Sequence, residues 1–194
     1  MIALIYLAGG NSKRFGSNKL IYSIEGKSMF LHLLERLDDL CERQDNYELF
    51  VVTQYKEIIN TAKKMGIKSV FSKESAKGIS YTIREGLLYA MEFVREKGLS
   101  LEKSAFFVAD QPYLTQKTVK DILDKANNSQ KGIACASYAN EAGNPVVFDK
   151  KYFGDLLNLS GDVGGRSILR ENISDVLFVE VSEKAELEDI DKQL

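Results

Sequence analysis

The chain has 194 residues, 44% hydrophobic and 28% charged, with a formal net charge of -2, which is the balance of one soluble globular domain large enough to bury a core. This charge excludes a polybasic nucleic-acid or membrane binder, and no apolar stretch approaches the roughly 20 residues that span a bilayer. One histidine, His32, and two distant cysteines, Cys41 and Cys135, without a CxxC, argue against a zinc site and for buried, reduced thiols.

Strand and helix patterns alternate along the chain. IALIYLA (2–8) is a continuous β-type run, as expected for a strand covered on both faces. It is too short, and too quickly followed by glycines, for a secretory signal, so cytoplasm is the expected compartment. Residues 28–41 place Phe30, Leu33, Leu34, Leu37 and Cys41 at helical spacing behind a Ser28 cap, with His32 as a structural residue. ELFVVT (48–53) predicts a second buried strand, a helix follows over 55–65 and stops at Gly66, and IKSVFS (67–72) predicts a third strand. AKGIS (76–80) reads as a loop and residues 81–98 as a long amphipathic helix closed by Gly98. SAFFVAD (104–110) predicts a fourth strand, with a helix over 115–127. Strands 132–138, 145–149 and 174–181 complete the set. Repeated βα units with apolar strands imply an α/β fold, a mostly parallel sheet with helices on both faces, in a single domain over 1–194.

Ligands of such sheets bind at the carboxyl ends of the strands. Three stretches rich in glycine or charge fall there: AGGNSKR, SKESAKGIS and DQP. The first is neither a P-loop nor a dinucleotide fingerprint. Gly16 is followed by Ser17-Asn18 rather than Lys-Ser/Thr, Gly26-Lys27-Ser28 lacks its first glycine at Ile21, and no G-x-G-x-x-G follows the strand. What remains is L-A-G-G-x-S-x-R-x-G-x-x-K. Its glycines let main-chain N–H groups approach phosphate, Arg14 can bind it in bidentate fashion, and Lys13 and Lys19 add positive charge. The alternative is a tight turn with solvated lysines. Asp110, followed by Gln111-Pro112, is either a turn cap or a hard-cation ligand.

LAGGNSKRFGSNK resembles the signature loop of the nucleotidyltransferases related to the molybdenum cofactor cytidylyl- and guanylyltransferases. The resemblance runs on through KGISYTIREGL (77–87), VADQPYLT (108–115), GNPVVF (143–148), GDVGGRSIL (161–169) and EDID (188–191). It implies a Rossmann-like, three-layer nucleotidyltransferase fold. The implied reaction joins the terminal phosphate of molybdopterin to the α-phosphate of a nucleoside triphosphate and releases pyrophosphate, with magnesium. By the same resemblance Arg14, Lys19 and Asp110 are catalytic, and Leu7, Ala8, Gly9, Gly10, Lys13, Arg14, Lys19, Gly78 and Ser80 bind the nucleotide. Asp110 and Asp191 hold the metal, Asp191 being otherwise a solvated acid in an acidic tail. Asn144 and Arg166 meet the acceptor, unless Arg166 is merely solvated beside a Gly164-Gly165 turn. Transfer of this kind needs positioning and charge neutralisation rather than a general base, so the absence of a catalytic histidine counts for nothing.

Gly9-Gly10 resembles the guanylyl branch, whereas the cytidylyl branch more often has alanine at the first position. Ser17-Asn18 stand where the guanylyl branch has a glycine and an aspartate, and DQP, GNPVVF and GDVGGR look like the cytidylyl branch. CTP is therefore the expected substrate, with the lost methyl at Gly9 expected to enlarge the space beside the base. GTP, or a sugar or alditol phosphate acceptor, is the enzyme alternative. A non-catalytic protein delivering the cofactor to a molybdenum hydroxylase is the alternative of another class.

Overall fold

A computed structural model describes residues 1–11 and 18–190. Its elements in chain order begin with β1 (Ile2–Ala8), β2 (Ser23–Ile24), β3 (Lys27–Ser28), α1 (Met29–Glu42), β4 (Tyr47–Thr53), α2 (Lys56–Lys64) and β5 (Lys68–Phe71). They continue with α3 (Ile79–Glu96), β6 (Lys103–Val108), α4 (Gln116–Asn128), β7 (Ile133–Tyr138), β8 (Glu141–Asp149), α5 (Phe153–Asn158), α6 (Arg166–Glu171) and β9 (Val176–Glu180). Seven strands form one sheet in the order β5-β4-β1-β6-β8-β7-β9. The β5–β4, β4–β1, β1–β6 and β7–β9 pairs are parallel, whereas β8 runs antiparallel to both of its neighbours.

The apolar run of β1 is continuous because both of its faces are covered. Leu4, Tyr6 and Ala8 enter one core with the inner faces of α1, α2 and α4; Ala3, Ile5 and Leu7 enter another with α3, α5 and α6. This is the three-layer α/β arrangement expected, Rossmann-like in its mostly parallel sheet. The buried Tyr6 hydroxyl donates to the Phe30 carbonyl at 2.7 Å. His32 is structural as expected, its Nε2 lying 2.9 Å from the Ile24 carbonyl oxygen. Both cysteines are free, and burial pushes the Cys41 thiol up to about 12 and the Cys135 thiol up to about 11.

Several boundaries differ from expectation for local reasons. Residues 73–77 form a 3₁₀ turn rather than open loop. Gly78, at φ 144°, ends it, so α3 begins at Ile79 instead of residue 81. β6 ends at Val108, which leaves Asp110 in the following turn and not on the strand. Ala139 and Asn140, both at positive φ, reverse the chain tightly, so β8 starts four residues before Pro145 and pairs with β7 as a hairpin. The small β2–β3 hairpin and α5 were not expected from the residue pattern.

α3 lies so close to the sheet that a methyl group on Gly86 would sit 2.6 Å from Ile5 Cγ2 and 2.7 Å from Val52 Cγ2. Alanine favours an exposed helix interior by about 1 kcal/mol over glycine, but overpacking a core costs about 1–3 kcal/mol. Both neighbours are β-branched and stiff at χ1, so the packing cost dominates. Gly86→Ala is expected to lower the urea midpoint with an unchanged slope; a raised midpoint would show that the helix can lift off the sheet at no cost.

Candidate functional site

The loop after β1 is fixed by the end of β4, its parallel neighbour. Thr53 Oγ1 donates to the Ala8 carbonyl (2.7 Å), Gln54 Nε2 to that of Gly9 (2.6 Å) and the Tyr55 hydroxyl to that of Gly10 (2.6 Å). Asn11 in turn donates to the Ala76 carbonyl at 2.6 Å, which joins this loop to the turn before α3. Three successive residues of one strand end thus hold three successive carbonyls of the other. The sequence reading missed this role for Thr53-Gln54-Tyr55, whose only signal was their place directly after a strand.

Gly9 is required by close approach. A methyl group there would meet Ser75 Cβ at 2.7 Å, Ser75 Oγ at 2.8 Å and Thr82 Oγ1 at 3.0 Å. The expectation of extra room beside the base is therefore corrected: Ser75 and Thr82, whose hydroxyls bond each other at 2.9 Å, already fill that space.

Beyond the loop, Lys19 begins a short 3₁₀ turn whose Leu20 N–H is capped by Asn18 Oδ1 at 3.1 Å. Lys19 Nζ lies 2.8 Å from Asp110 Oδ2, and both side chains are largely screened from water, at 12% and 22% exposure. Ninety-one residues separate the two in sequence. The turn that carries Asp110 is clamped from two sides. From α1, one Arg36 nitrogen donates to the carbonyls of Pro112 (2.6 Å) and Leu114 (2.8 Å). From the C-terminal segment, Ile190 N donates to the Asp110 carbonyl (3.0 Å), while Gln111 Nε2 donates to the Leu187 carbonyl and to Asp189 Oδ1, both at 2.9 Å.

Two cavities open along this edge of the sheet. The first, about 240 Å³, is lined by Leu7, Gly9, Gly10, Lys19, Gly78 and Asp110 among others, so loops after three different strands meet there as expected. The second, about 330 Å³, has Phe106, Phe148 and Val146 on its walls with Asn144, Arg166 and Asp189 at its polar positions. Asp110 borders both. Ala8 and Ser80 are fully buried beneath the first cavity and do not line it; the Ser80 hydroxyl donates to the Gly161 carbonyl at 2.7 Å. Lys13, Arg14 and Asp191 lie outside the described residues.

Asp189, read from sequence as part of an acidic tail, instead borders the second cavity beside Asp110. The residue is accessible overall, yet desolvation of its carboxyl and then the Asp110 charge hold its pKa above the usual carboxylate range. Two carboxylates at one cavity match the donor set magnesium would use, since that ion takes only one or two protein carboxylates and leaves its other positions to phosphate and water. Among the described residues no cluster of three or more His, Cys, Asp or Glu could hold a metal ion.

Residues 4–176 match the MobA-like NTP transferase domain. The chain belongs to that family. One curated relative, a probable molybdenum cofactor guanylyltransferase of Thermococcus sibiricus, is 31% identical over 137 residues, 70% of this chain and 62% of that protein. The chain thus spans about three fifths of that relative's length. The purine catabolism protein PucB of Bacillus subtilis is 24% identical over 195 residues, 96% of this chain and 90% of that one. Among solved structures, a nucleotidyl transferase from Methanothermobacter thermautotroptrophicus has the same fold, with a TM-score of 0.76 at 18% identity, covering 99% of this chain and 92% of its own.

The Asp110–Asp189 pair makes a testable statement about cations. A carboxyl whose folded pKa is raised favours folding below its unfolded pKa and opposes it once ionised above the folded value. Asp189→Asn is therefore expected to raise Tm at pH 7, with the gain disappearing as pH falls through the carboxylate range. Magnesium is expected to raise the wild-type Tm more than the variant's. Equal magnesium shifts in both proteins would remove Asp189 from the cation site.

Proposed function

We propose that the chain is a magnesium-dependent nucleotidyltransferase that joins a nucleoside monophosphate to the phosphate of a molybdopterin-type acceptor. The observation that carries this reading is the Lys19–Asp110 pair at the border of two cavities, one built from glycine-rich loops and the other apolar with one arginine. In the reaction an acceptor phosphate oxygen attacks the α-phosphorus, the bond to the β-phosphate bridging oxygen breaks, and pyrophosphate leaves. The attacking oxygen is already ionised, so no base is needed.

Each side chain then has a physical task. Lys19, with Arg14, neutralises charge that grows on the α-phosphate as the bond order shifts. Asp110, with Asp191 and Asp189, would hold the metal, and magnesium bound there would draw charge off the phosphate oxygens. Leu7, Ala8, Gly9, Gly10, Lys13, Gly78 and Ser80 form or support the nucleotide loops. Asn144 and Arg166 orient the acceptor, Arg166 through its phosphate. A molybdenum hydroxylase is the receiver of the product under this reading, and the cytoplasm its compartment.

CTP is the nucleotide favoured by the DQP, GNPVVF and GDVGGR segments. A second reading, GTP, is supported by Gly9-Gly10 and by the name of the curated Thermococcus relative. Pyrophosphate release with each triphosphate and molybdopterin decides between them by the ratio of kcat/KM values. No release with either triphosphate would refute transfer to this acceptor.

Lys19→Ala is expected to lower kcat about 10²–10³-fold with a smaller change in nucleotide affinity, the loss typical of one transition-state donor. Unchanged turnover would remove Lys19 from the reaction. Asp110→Asn is expected to abolish magnesium-dependent turnover while far-UV circular dichroism stays native, because the residue sits in a turn and not in the core. Full activity in that variant would move the metal elsewhere.

A further inference from the structure

The loop that contributes Arg166 to the acceptor cavity also contributes Asp162, four residues earlier, to the nucleotide cavity. Its placement there is fixed by the backbone. The Gly161 carbonyl accepts from Ser80 Oγ (2.7 Å) and Ser80 N (3.4 Å), and Asp162 Oδ1 lies 3.4 Å from the Ile79 N–H. Gly78 is at φ 144°, and a methyl group on it would lie 2.3 Å from the Gly161 oxygen, so the two loops are interlocked. Asp162 therefore stands at the start of α3, in the same cavity as the Lys19–Asp110 pair.

An ionised carboxylate only accepts hydrogen bonds. A triphosphate offers it no donor and repels it, so a nucleotide must present another part to Asp162. Under the transfer reading the α-phosphate sits at Lys19 and Asp110, and the part of the nucleotide left to face Gly78, Thr82 and Asp162 would be the nucleoside. Other polar groups on this wall are engaged: the Ser75 and Thr82 hydroxyls with each other, and the Asn11 amide with Ala76 and Gln54. The base donors that suit a carboxylate are the 4-amino group of cytosine and the N1–H with the 2-amino group of guanine. Uracil presents a single N–H between two carbonyls, which a carboxylate repels.

We propose that Asp162 is a specificity-determining residue that accepts a hydrogen bond from the amino group of the nucleobase. The inference rests on the transfer reading above and adds to it that the acceptor-side loop selects the nucleotide.

The test is equilibrium binding of the magnesium complexes of CTP, UTP, GTP and ITP, without acceptor, to the wild type and to Asp162→Asn. The variant keeps the side-chain size and removes the charge. The wild type is expected to prefer the amino-bearing member of one pair, CTP over UTP or GTP over ITP, by about tenfold or more, the effect of one hydrogen bond to a charged group. Asp162→Asn is expected to erase or reverse that preference, and the pair that responds identifies the base. A preference that survives in Asp162→Asn, or a wild type without preference in either pair, overturns the inference and leaves the transfer reading in place. Equal weakening of all four nucleotides, reproduced in the wild type by 2′-deoxy analogues, overturns it in favour of a ribose contact. A wild type that binds none of the four overturns the transfer reading itself.

Discussion

The site depends first on β1 being buried on both faces and hydrogen-bonded on both edges. All seven of its residues pair with β4 on one side and the first six with β6 on the other. A strand so enclosed cannot shift register without moving two cores and two ladders. Its last residue therefore delivers Gly9 and Gly10 to one fixed place, level with the ends of β4 and β6. Thr53, Gln54 and Tyr55 come from one neighbour and Asp110 from the other. Polar groups from distant parts of the chain meet because an apolar strand holds them at one height.

Two of the charges at that edge compensate one another directly. Lys19 and Asp110 neutralise one another in a partly dry setting, where removing one partner strands the other. Both members are groups that a metal–triphosphate complex would engage separately, the ammonium by phosphate and the carboxylate by the cation. Binding is then an exchange of partners rather than the creation of new buried charge. Asp189 is the opposite case, a carboxyl whose neighbours disfavour ionisation. A divalent ion beside it would offset that effect.

Much of this was legible in the residue pattern because the relevant signals are local. Continuous apolar runs marked the strands, and glycine, charge or Asp-Gln-Pro after them marked the loops that meet at Lys19 and Asp110. What escaped was set by tertiary partners. The direction of β8 depends on a two-residue reversal at Ala139–Asn140, which no apolar period records. Asp189 looked like one acid among several until Gln111 and the Asp110 turn were seen to hold its segment. The space beside Gly9 looked open because Ser75 and Thr82, more than sixty residues away, are invisible from the loop itself.

The antiparallel course of β8 has its own consequence. Phe106 of β6 pairs with Val146, so Asn144 falls at the carboxyl edge of the parallel strands even though it lies in the first half of its own strand. The second cavity is thus furnished in part by the turn end of the β7–β8 hairpin, while the loops of the first hang from β1, β5 and β6. A hairpin tip can lengthen, shorten or change composition without disturbing the ladders behind it. The architecture therefore lets the wall of the second cavity be remodelled while the loops that build the first stay where β1 holds them.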